Sequence, residues 1–312
     1  MRAIALEAFG FDGARIKWKM GEECGLRDRL KIAAAMFIFG TVGLFRRGIG
    51  LSSGVVAMVR GAIGLTFLLV VLKLRGGKID RAAVRRNLPL LCASGAAMGL
   101  NWALLFEAYN YTSVAVATLC YYFAPMLIIL ASPFLLKERL TPRRVCCVLV
   151  ALVGMALVSG VLETGASGDL RGPLLSLGAA ALYASVVLMN KRLSGVGAVD
   201  RTAVQLGMSS IALLPYVLLS GSTGATDARG ALLLLLMGVL HTGAAYVLYF
   251  GALPGVRAQI AAILSYIDPV VAVLLSALIL REPMGASTAA GAILVLGAAA
   301  LSEMPERKPL RR

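Results

Sequence analysis

The sequence predicts an all-α polytopic membrane protein, with ten transmembrane helices arranged as two inverted five-helix repeats. Three observations carry this. Hydrophobic residues fill 59% of 312 positions, charged residues fill 15%, and the mean hydropathy is +0.84; a soluble chain gives roughly a quarter of its residues to charge. Apolar stretches of 16 to 24 residues recur along the chain, close to the ~20 that a helix needs to cross the hydrocarbon core. Finally, YYFAPMLIILASPFLLKERL from Tyr121 aligns without a gap on SYIDPVVAVLLSALILREPM from Ser265, 144 residues later. Tyr122 meets Tyr266, Pro125 meets Pro269, Leu130 meets Leu274 and Glu138 meets Glu282. A spanning β-barrel would instead show alternating segments of about 10 residues.

Spans are expected at 30–45, 51–72, 88–109, 113–136, 145–162, 172–190, 203–220, 230–250, 258–280 and 287–303. At the 144-residue offset, spans one, three, four and five map onto six, eight, nine and ten. Span two maps less well, because the connection after span six is longer. Five spans per half is an odd number, so the halves enter the membrane in opposite directions. Inverted repeats of this kind are a signature of secondary transporters, with the substrate site where the repeats meet. The expected organisation is a cytoplasmic extension of little structure over 1–29, one repeat over 30–162, the other over 163–303, and a basic cytoplasmic tail over 304–312. Residues 1–29 lack an apolar region followed by a small-residue cleavage site, and Met20 offers an alternative start.

The net charge of +15 suggests nucleic acid in a soluble chain. Here it follows from the positive-inside rule. With the N-terminus inside, cytoplasmic segments hold 25 of the 31 Lys and Arg residues, and the opposite side holds Arg46, Arg47, Arg171, Arg229 and Arg281. The five cysteines, Cys24, Cys92, Cys120, Cys146 and Cys147, have neither metal-site nor disulfide spacing and read as small apolar fillers. No HExxH, GxSxG or phosphate-binding Gly loop is present, so the sequence points to neither catalysis nor ATP hydrolysis. No metal and no cofactor are expected.

Each half closes with a proline, an apolar run, a glutamate, a short polar break and a Gly/Ala-rich helix: Pro125 with Glu138, then Pro269 with Glu282. With ten spans in two halves, this pattern resembles the EamA-type transporters of the drug/metabolite transporter superfamily, over about residues 30–303. Phe39-Gly40 stands where that family has Trp-Gly, and Arg60 stands at its second-helix Arg. The resemblance implies the fold and a transport function. It does not select a substrate, since such proteins export amino acids, drugs and other metabolites, or import sugars and choline-like cations.

Ionisable side chains within a span are costly and mark pathways or cavities. Asp268, His241 and Arg60 fall near mid-span, and Glu107 near the end of span three, at the level of Arg46 and Arg47. Asp268 precedes Pro269, which leaves the Ser265 carbonyl without its helical donor. A midplane carboxyl without a counter-charge is hard to ionise, as a proton carrier requires. Asp268 is therefore a substrate and coupling candidate; the alternative is a structural acid neutralised by Arg60 or hydrogen-bonded to a neighbouring helix. Its repeat partner is Ala124, so duplication does not explain it. His241, the single histidine, could exchange protons with Asp268 or simply pack. With Glu107, these are the coupling candidates.

Trp102, Phe106 and Tyr109 follow i, i+4, i+7 spacing on one helix face. Together with Tyr122, Tyr183, Tyr266 and Asp268 they form the expected substrate site, since rings hold cations and stack on aromatic substrates; helix packing and interfacial anchoring are the alternative. Arg60, Pro125 and Pro269 are expected in structural or gating roles. Glu138 and Glu282 read as interfacial helix terminators, and Gly95 to Gly99 and Gly291 to Gly297 as close helix contacts.

The expected function is alternating-access transport of a small organic metabolite, amino-acid-like or amphiphilic, in the export direction, across a bacterial cytoplasmic membrane. Uptake of a small organic cation such as choline is the alternative, and an intramembrane enzyme or non-transporting sensor is the alternative of another class. Expected partners are the small-molecule substrate, the lipid bilayer and a coupling proton or ion, with no nucleic acid; the chain is expected to be a monomer or homodimer. The charge split predicts that both termini and the 73–87 loop face the cytoplasm while 163–171 faces outward. Reporter fusions check this, and a fusion within 163–171 that reports the inside contradicts it.

Overall fold

The computed structural model describes residues 22–135, 141–159, 169–221, 224–256 and 258–304. Among these residues the regular elements are helices, joined by one isolated antiparallel bridge between Leu51 and Gly224. In chain order they are α1 (Glu22–Gly40), α2 (Val42–Arg47), α3 (Ser53–Leu74), α4 (Arg81–Arg86), α5 (Leu88–Ala108), α6 (Val114–Tyr121), α7 (Ala124–Leu135) and α8 (Pro142–Val158). Then come α9 (Arg171–Arg192), α10 (Ala198–Leu219), α11 (Ala228–Leu236), a π-helical segment (Met237–Ala244), α12 (Ala245–Ala252), a short 3₁₀ turn (Leu253–Gly255), α13 (Ala258–Ser265), α14 (Ile267–Leu278) and α15 (Ala286–Glu303).

Among the described residues, six helices are long and apolar enough to cross a membrane: Ser53–Leu74, Leu88–Ala108, Val114–Leu135, Arg171–Arg192, Ala198–Leu219 and Ala228–Ala252. Ile263–Leu278 and Ala286–Ser302 are shorter apolar helices. The first expected span is shifted: α1 begins at Glu22, so residues 22–29 are helical and not part of an unstructured extension. This turn stays helical because no proline interrupts it and Lys31 Nζ meets Asp28 Oδ1 at 3.0 Å, an i,i+3 pair. Glu138, and most of the segment expected to face outward at 163–171, lie outside the described residues.

Helix starts follow capping chemistry. The Ser113 hydroxyl accepts from Val116 N, the Thr141 hydroxyl from Arg144 N, and the Asp227 carboxylate from Gly230 N, each satisfying an otherwise orphaned donor. Pro142 occupies the first turn of α8, where a missing N–H costs nothing.

At the bends expected at Pro125 and Pro269 the α-helix is interrupted for one or two residues, at Tyr122–Phe123 and at Tyr266. Proline lacks an N–H and its ring pushes on the carbonyl four residues earlier, Tyr121 and Ser265 respectively. The backbone responds at Tyr122 (ψ 5°) and at Tyr266 (ψ −7°), far from the helical value of about −42°. Pro133 and Pro215 lie inside continuous helices, so a proline alone does not account for the breaks.

The most extensive interhelical contacts join elements before residue 160 to elements after residue 169. The pair α9 and α10 embraces α5, α3 lies on α10 and the π segment, α1 lies on α12 and α14, and α8 lies on α15. The two halves of the chain therefore interlock. Between lipid-facing helices burial supplies little attraction, so small residues that bring backbones together matter. A Cβ on Gly99 would sit 2.6 Å from the Ser209 carbonyl oxygen, and one on Gly154 would sit 2.9 Å from the Gly291 carbonyl oxygen. On Gly40, a Cβ would lie 2.6 Å from the Asp268 carbonyl oxygen. Gly95, Gly99 and Gly291 thus make the close contacts expected of them, whereas a Cβ on Gly297 meets nothing within 4 Å.

This seam yields a stability test. Gly99→Ala forces backbone against backbone and should cost about 1–3 kcal/mol, as overpacking does, whereas Gly297→Ala should leave stability unchanged or raise it slightly. Unfolding midpoints of both variants in detergent check the contrast, and equal midpoints contradict it.

Candidate functional site

The two breaks meet. The break at Tyr266 makes a new helix N-terminus inside the fold, and Asp268 occupies its first turn. There the unpaired N–H groups and the positive end of the helix dipole favour a carboxylate. Tyr122, at the other break, donates its hydroxyl to Asp268 Oδ2 at 2.8 Å across 146 residues of sequence. Rings cluster around this bond: Tyr122 and Tyr266 have centroids 6.5 Å apart, Tyr121 and Tyr122 6.1 Å, and Tyr121 and Tyr183 5.6 Å. Tyr121, Tyr122, Tyr266 and Asp268 are half-buried and Tyr183 is exposed, while Phe123, Ala124 and Met126 behind them are buried. A carboxylate with accessible ring faces can recognise a cationic nitrogen, and a carboxyl bonded to a phenol can take up or release a proton.

Arg60 makes no direct ion pair with Asp268. Among the described residues the ion pairs are Lys31–Asp28, Arg47–Glu282 and Arg171–Asp169. Arg60 is buried, its Nε donates to Thr242 Oγ1 at 2.7 Å, and its guanidinium carbon lies 4.4 Å from the Trp102 ring centroid and 5.6 Å from that of Phe106. The i, i+4 faces of Trp102 and Phe106 thus hold the protein's own cation. The geometry fits Arg better than Lys, because a planar guanidinium stacks on a ring while its edge donates. Tyr109, the third residue of that stripe, is buried in the same apolar cluster.

His241 is mid-span as expected, yet it faces Thr41 and not Asp268. Its Nε2 lies 2.7 Å from the Thr41 hydroxyl, and its ring packs edge-on against Phe45 at 4.7 Å. The Thr41 hydroxyl donates to the Ile38 carbonyl at 2.7 Å. His241 and Thr242 are consecutive residues of the π segment, and they reach α1 and Arg60 respectively; such wide turns often occur at functional positions. Gly40 touches the Asp268 peptide and Thr41 touches His241, so the end of α1 joins the two elements.

At one end of the bundle Arg47 pairs with Glu282 at 2.6 Å and also donates to the Thr112 carbonyl at 2.9 Å. Glu282 accepts from Val114 N at 2.8 Å and from the Ser276 hydroxyl. It therefore caps α6 and clamps α2 to α6, more than the interfacial charge read from the sequence. The preceding Arg281 has φ +53°, in the left-handed region that glycine prefers. Glu107 is half-buried and accepts from Asn110 Nδ2 at 3.1 Å; it forms no ion pair with Arg46 or Arg47. Near this end the exposed Asp169 accepts from Arg171, which holds its carboxyl down at about 2.

Asp200 accepts from Asp80 N at 3.2 Å and Asn87 donates to the Ser194 carbonyl at 3.1 Å, which joins the 73–87 loop to the start of α10 and the loop before it. Gln205 bridges Ser94 and Asn190 at 2.7 Å each. Gln205, Asn101, Thr41 and Thr242 are buried or half-buried polar groups that a search for ionisable residues passes over. Their signal is a polar side chain within an apolar span.

Residues 30–160 and 170–304 each match the model of the EamA-like transporter family. An uncharacterized transporter of Bacillus subtilis, YxxF, is 27% identical over 248 residues, 79% of either chain. An uncharacterized transporter of Archaeoglobus fulgidus is 27% identical over 266 residues, 85% of this chain and 92% of its own. Protein RarD of Streptomyces exfoliatus is 29% identical over 231 residues, 73% of this chain and 71% of its own. A crystal structure superposes with TM-score 0.61 over 88% of this chain and 95% of its own at 22% identity, a likeness of fold.

The Arg60 stack predicts an order of damage. Arg60→Ala should destabilise more than Arg60→Lys, and a double-mutant cycle with Trp102→Leu should give a coupling of about 2 kcal/mol, as for a desolvated cation–π pair. Unfolding midpoints in detergent measure it. Additive effects would show that the guanidinium and the indole are merely neighbours.

Proposed function

The chain belongs to the EamA-like transporter family, and from that premise we propose that it is a secondary transporter of a small organic metabolite, amino-acid-like or amphiphilic, working in the export direction by alternating access. The family and the repeated apolar helices make it a multi-pass membrane protein of the drug/metabolite transporter type. Ten spans in two inverted halves, a cytoplasmic membrane location and cytoplasmic termini complete the reading. A family match in each half and the 25-to-5 charge split support it. Relatives named as transporters support a non-enzymatic role, and transport driven by a gradient or by exchange agrees with a sequence that lacks a phosphate-binding Gly loop.

The observation that carries the site is the Tyr122–Asp268 hydrogen bond between the two helix breaks. Broken helices whose termini face a substrate are a recurrent device of secondary transporters. Asp268 is the coupling or recognition group, and Tyr121, Tyr122, Tyr183 and Tyr266 are the rings around it. Because the halves interlock, alternating access works by bending at the Tyr122 and Tyr266 breaks, not by rocking of separate halves. The same carboxylate among rings favours a substrate with a positively charged nitrogen, which keeps uptake of a choline-like cation as the second reading.

Asp268→Asn keeps size and removes the charge and the exchangeable proton. It should fold and reach the membrane, yet lose gradient-driven accumulation in liposomes down to the level of empty vesicles. Surviving exchange assigns Asp268 to coupling, and weakened substrate binding assigns it to recognition. Wild-type accumulation and exchange together would remove Asp268 from the mechanism.

A further inference from the structure

Between α7 and α9 runs a groove of about 430 Å³. Leu127, Ala131 and Leu135 line it from α7, and Ala181, Leu188 and Arg192 from α9. The α9 residues follow i, i+7, i+11, one face of a helix. Tyr183, which packs on Tyr121 beside the first break, is two residues from Ala181 and so about 200° around the helix. The groove therefore lies on the opposite face of α9 from the tyrosines near Asp268. The Ser185 hydroxyl in its wall donates to the Leu182 carbonyl at 2.6 Å, so the lining stays apolar as far as Arg192.

Length and charge together define what fits. From Ala181 to Arg192 the wall follows eleven helical steps, about 16 Å at ~1.5 Å each. One leaflet of a ~30 Å hydrocarbon core is about 15 Å deep. The charge stands only at the end of that length. Arg192 is exposed, and its Nη2 donates at 3.0 Å to the Leu135 carbonyl, in the last turn of α7 where helical donors run out. That bond stretches the side chain from α9 across to α7 and holds the guanidinium over the mouth of the groove. It is the one hydrogen bond of Arg192 among the described residues, which leaves most of its five donors for another acceptor. The 73–87 loop joins this end through Asn87 and the Ser194 carbonyl. Its acid, Asp80, caps α4, and the nearby Asp200 accepts from Asp80 N.

We propose that the groove is a binding site for an anionic phospholipid, with an acyl chain of one leaflet between α7 and α9 and the phosphate accepting from Arg192. A guanidinium fork matches phosphate oxygens. A zwitterionic lipid offers the same chains but offsets its phosphate with its own cation, so Arg192 selects the anionic one. The site stands apart from Asp268 and from what the protein transports.

The test is native mass spectrometry of the purified full chain in a neutral detergent, titrated with phosphatidylglycerol or with phosphatidylcholine of the same acyl chains. Wild type should bind its first phosphatidylglycerol about fivefold more tightly than phosphatidylcholine, the equivalent of the ~1 kcal/mol that a basic side chain adds at an anionic lipid surface. Arg192→Gln should remove that preference, and Arg192→Lys should keep most of it. Ala181→Phe fills the inner end of the groove at an exposed position and leaves Arg192 in place. It should remove the preference too, and it decides the matter if Arg192→Gln fails to fold. Arg85→Gln removes an exposed charge of α4 at the same end, outside the groove, and should keep the preference. Glycerophosphoglycerol, the headgroup without chains, should not displace the lipid. Equal affinity for the two lipids in wild type, a preference that survives Arg192→Gln or Ala181→Phe, one that Arg85→Gln removes as fully, or displacement by glycerophosphoglycerol would each overturn the proposal.

Discussion

Inside a bilayer every backbone carbonyl needs a donor from the protein itself, and the architecture follows from two places where proline withholds one. At Tyr121 and Ser265 the ladder opens, the chain turns at the next residue, and a second helix starts from a fresh N-terminus. That terminus offers unpaired N–H groups where water is scarce, and an acidic residue in its first turn is the natural complement. Asp268 stands there in the second half. The corresponding position in the first half is Ala124, and Tyr122 beside it supplies the donor that Asp268 accepts.

A bilayer gives helices little reason to associate through burial alone, so the breaks have to be held by specific contacts. Gly40 lets α1 pass against the Asp268 peptide, and the next residue, Thr41, takes the imidazole of His241. The glycines of α5 bring its backbone against α10, and the same helix carries Trp102 and Phe106 to the buried Arg60. Polar side chains then tie distant segments together, Glu282 at one end and Asp200 and Gln205 toward the other. Apart from the Arg60 stack, which lies within the first half, these contacts join the two halves, so the halves share one core.

Much of this was legible in the sequence because its causes are local. The matched prolines Pro125 and Pro269 mark the two breaks, although Pro133 and Pro215 sit in unbroken helices; a run of apolar residues announces a span, and an acid within such a run announces an internal site. The alignment of Tyr122 with Tyr266 was visible, and the breaks fall at those two residues. The identity of partners was not legible. Arg60 was one alternative partner for Asp268 because charge matching is a simple account of two buried ions, but two ring faces one turn apart on α5, Trp102 and Phe106, were a competing solution. His241 and Glu282 are paired through sequence separations of 200 and 235 residues, which only packing decides. The amides Asn101 and Gln205 escaped notice because neutrality makes a buried polar group less conspicuous, although it needs its hydrogen bonds no less.

The π-helical segment bears on how variants of this chain are interpreted. A helical wheel with the usual 3.6 residues per turn assumes that faces keep their phase from Ala228 to Ala252. Through Met237–Ala244 the bonds run i to i+5, the turns are wider, and the phase slips. Residues on the lipid side before the segment are out of step with those drawn above them on the wheel after it. A mutational scan of α11 and α12 that is analysed as one continuous α-helix will smear its periodicity at Met237, although each part taken separately remains regular.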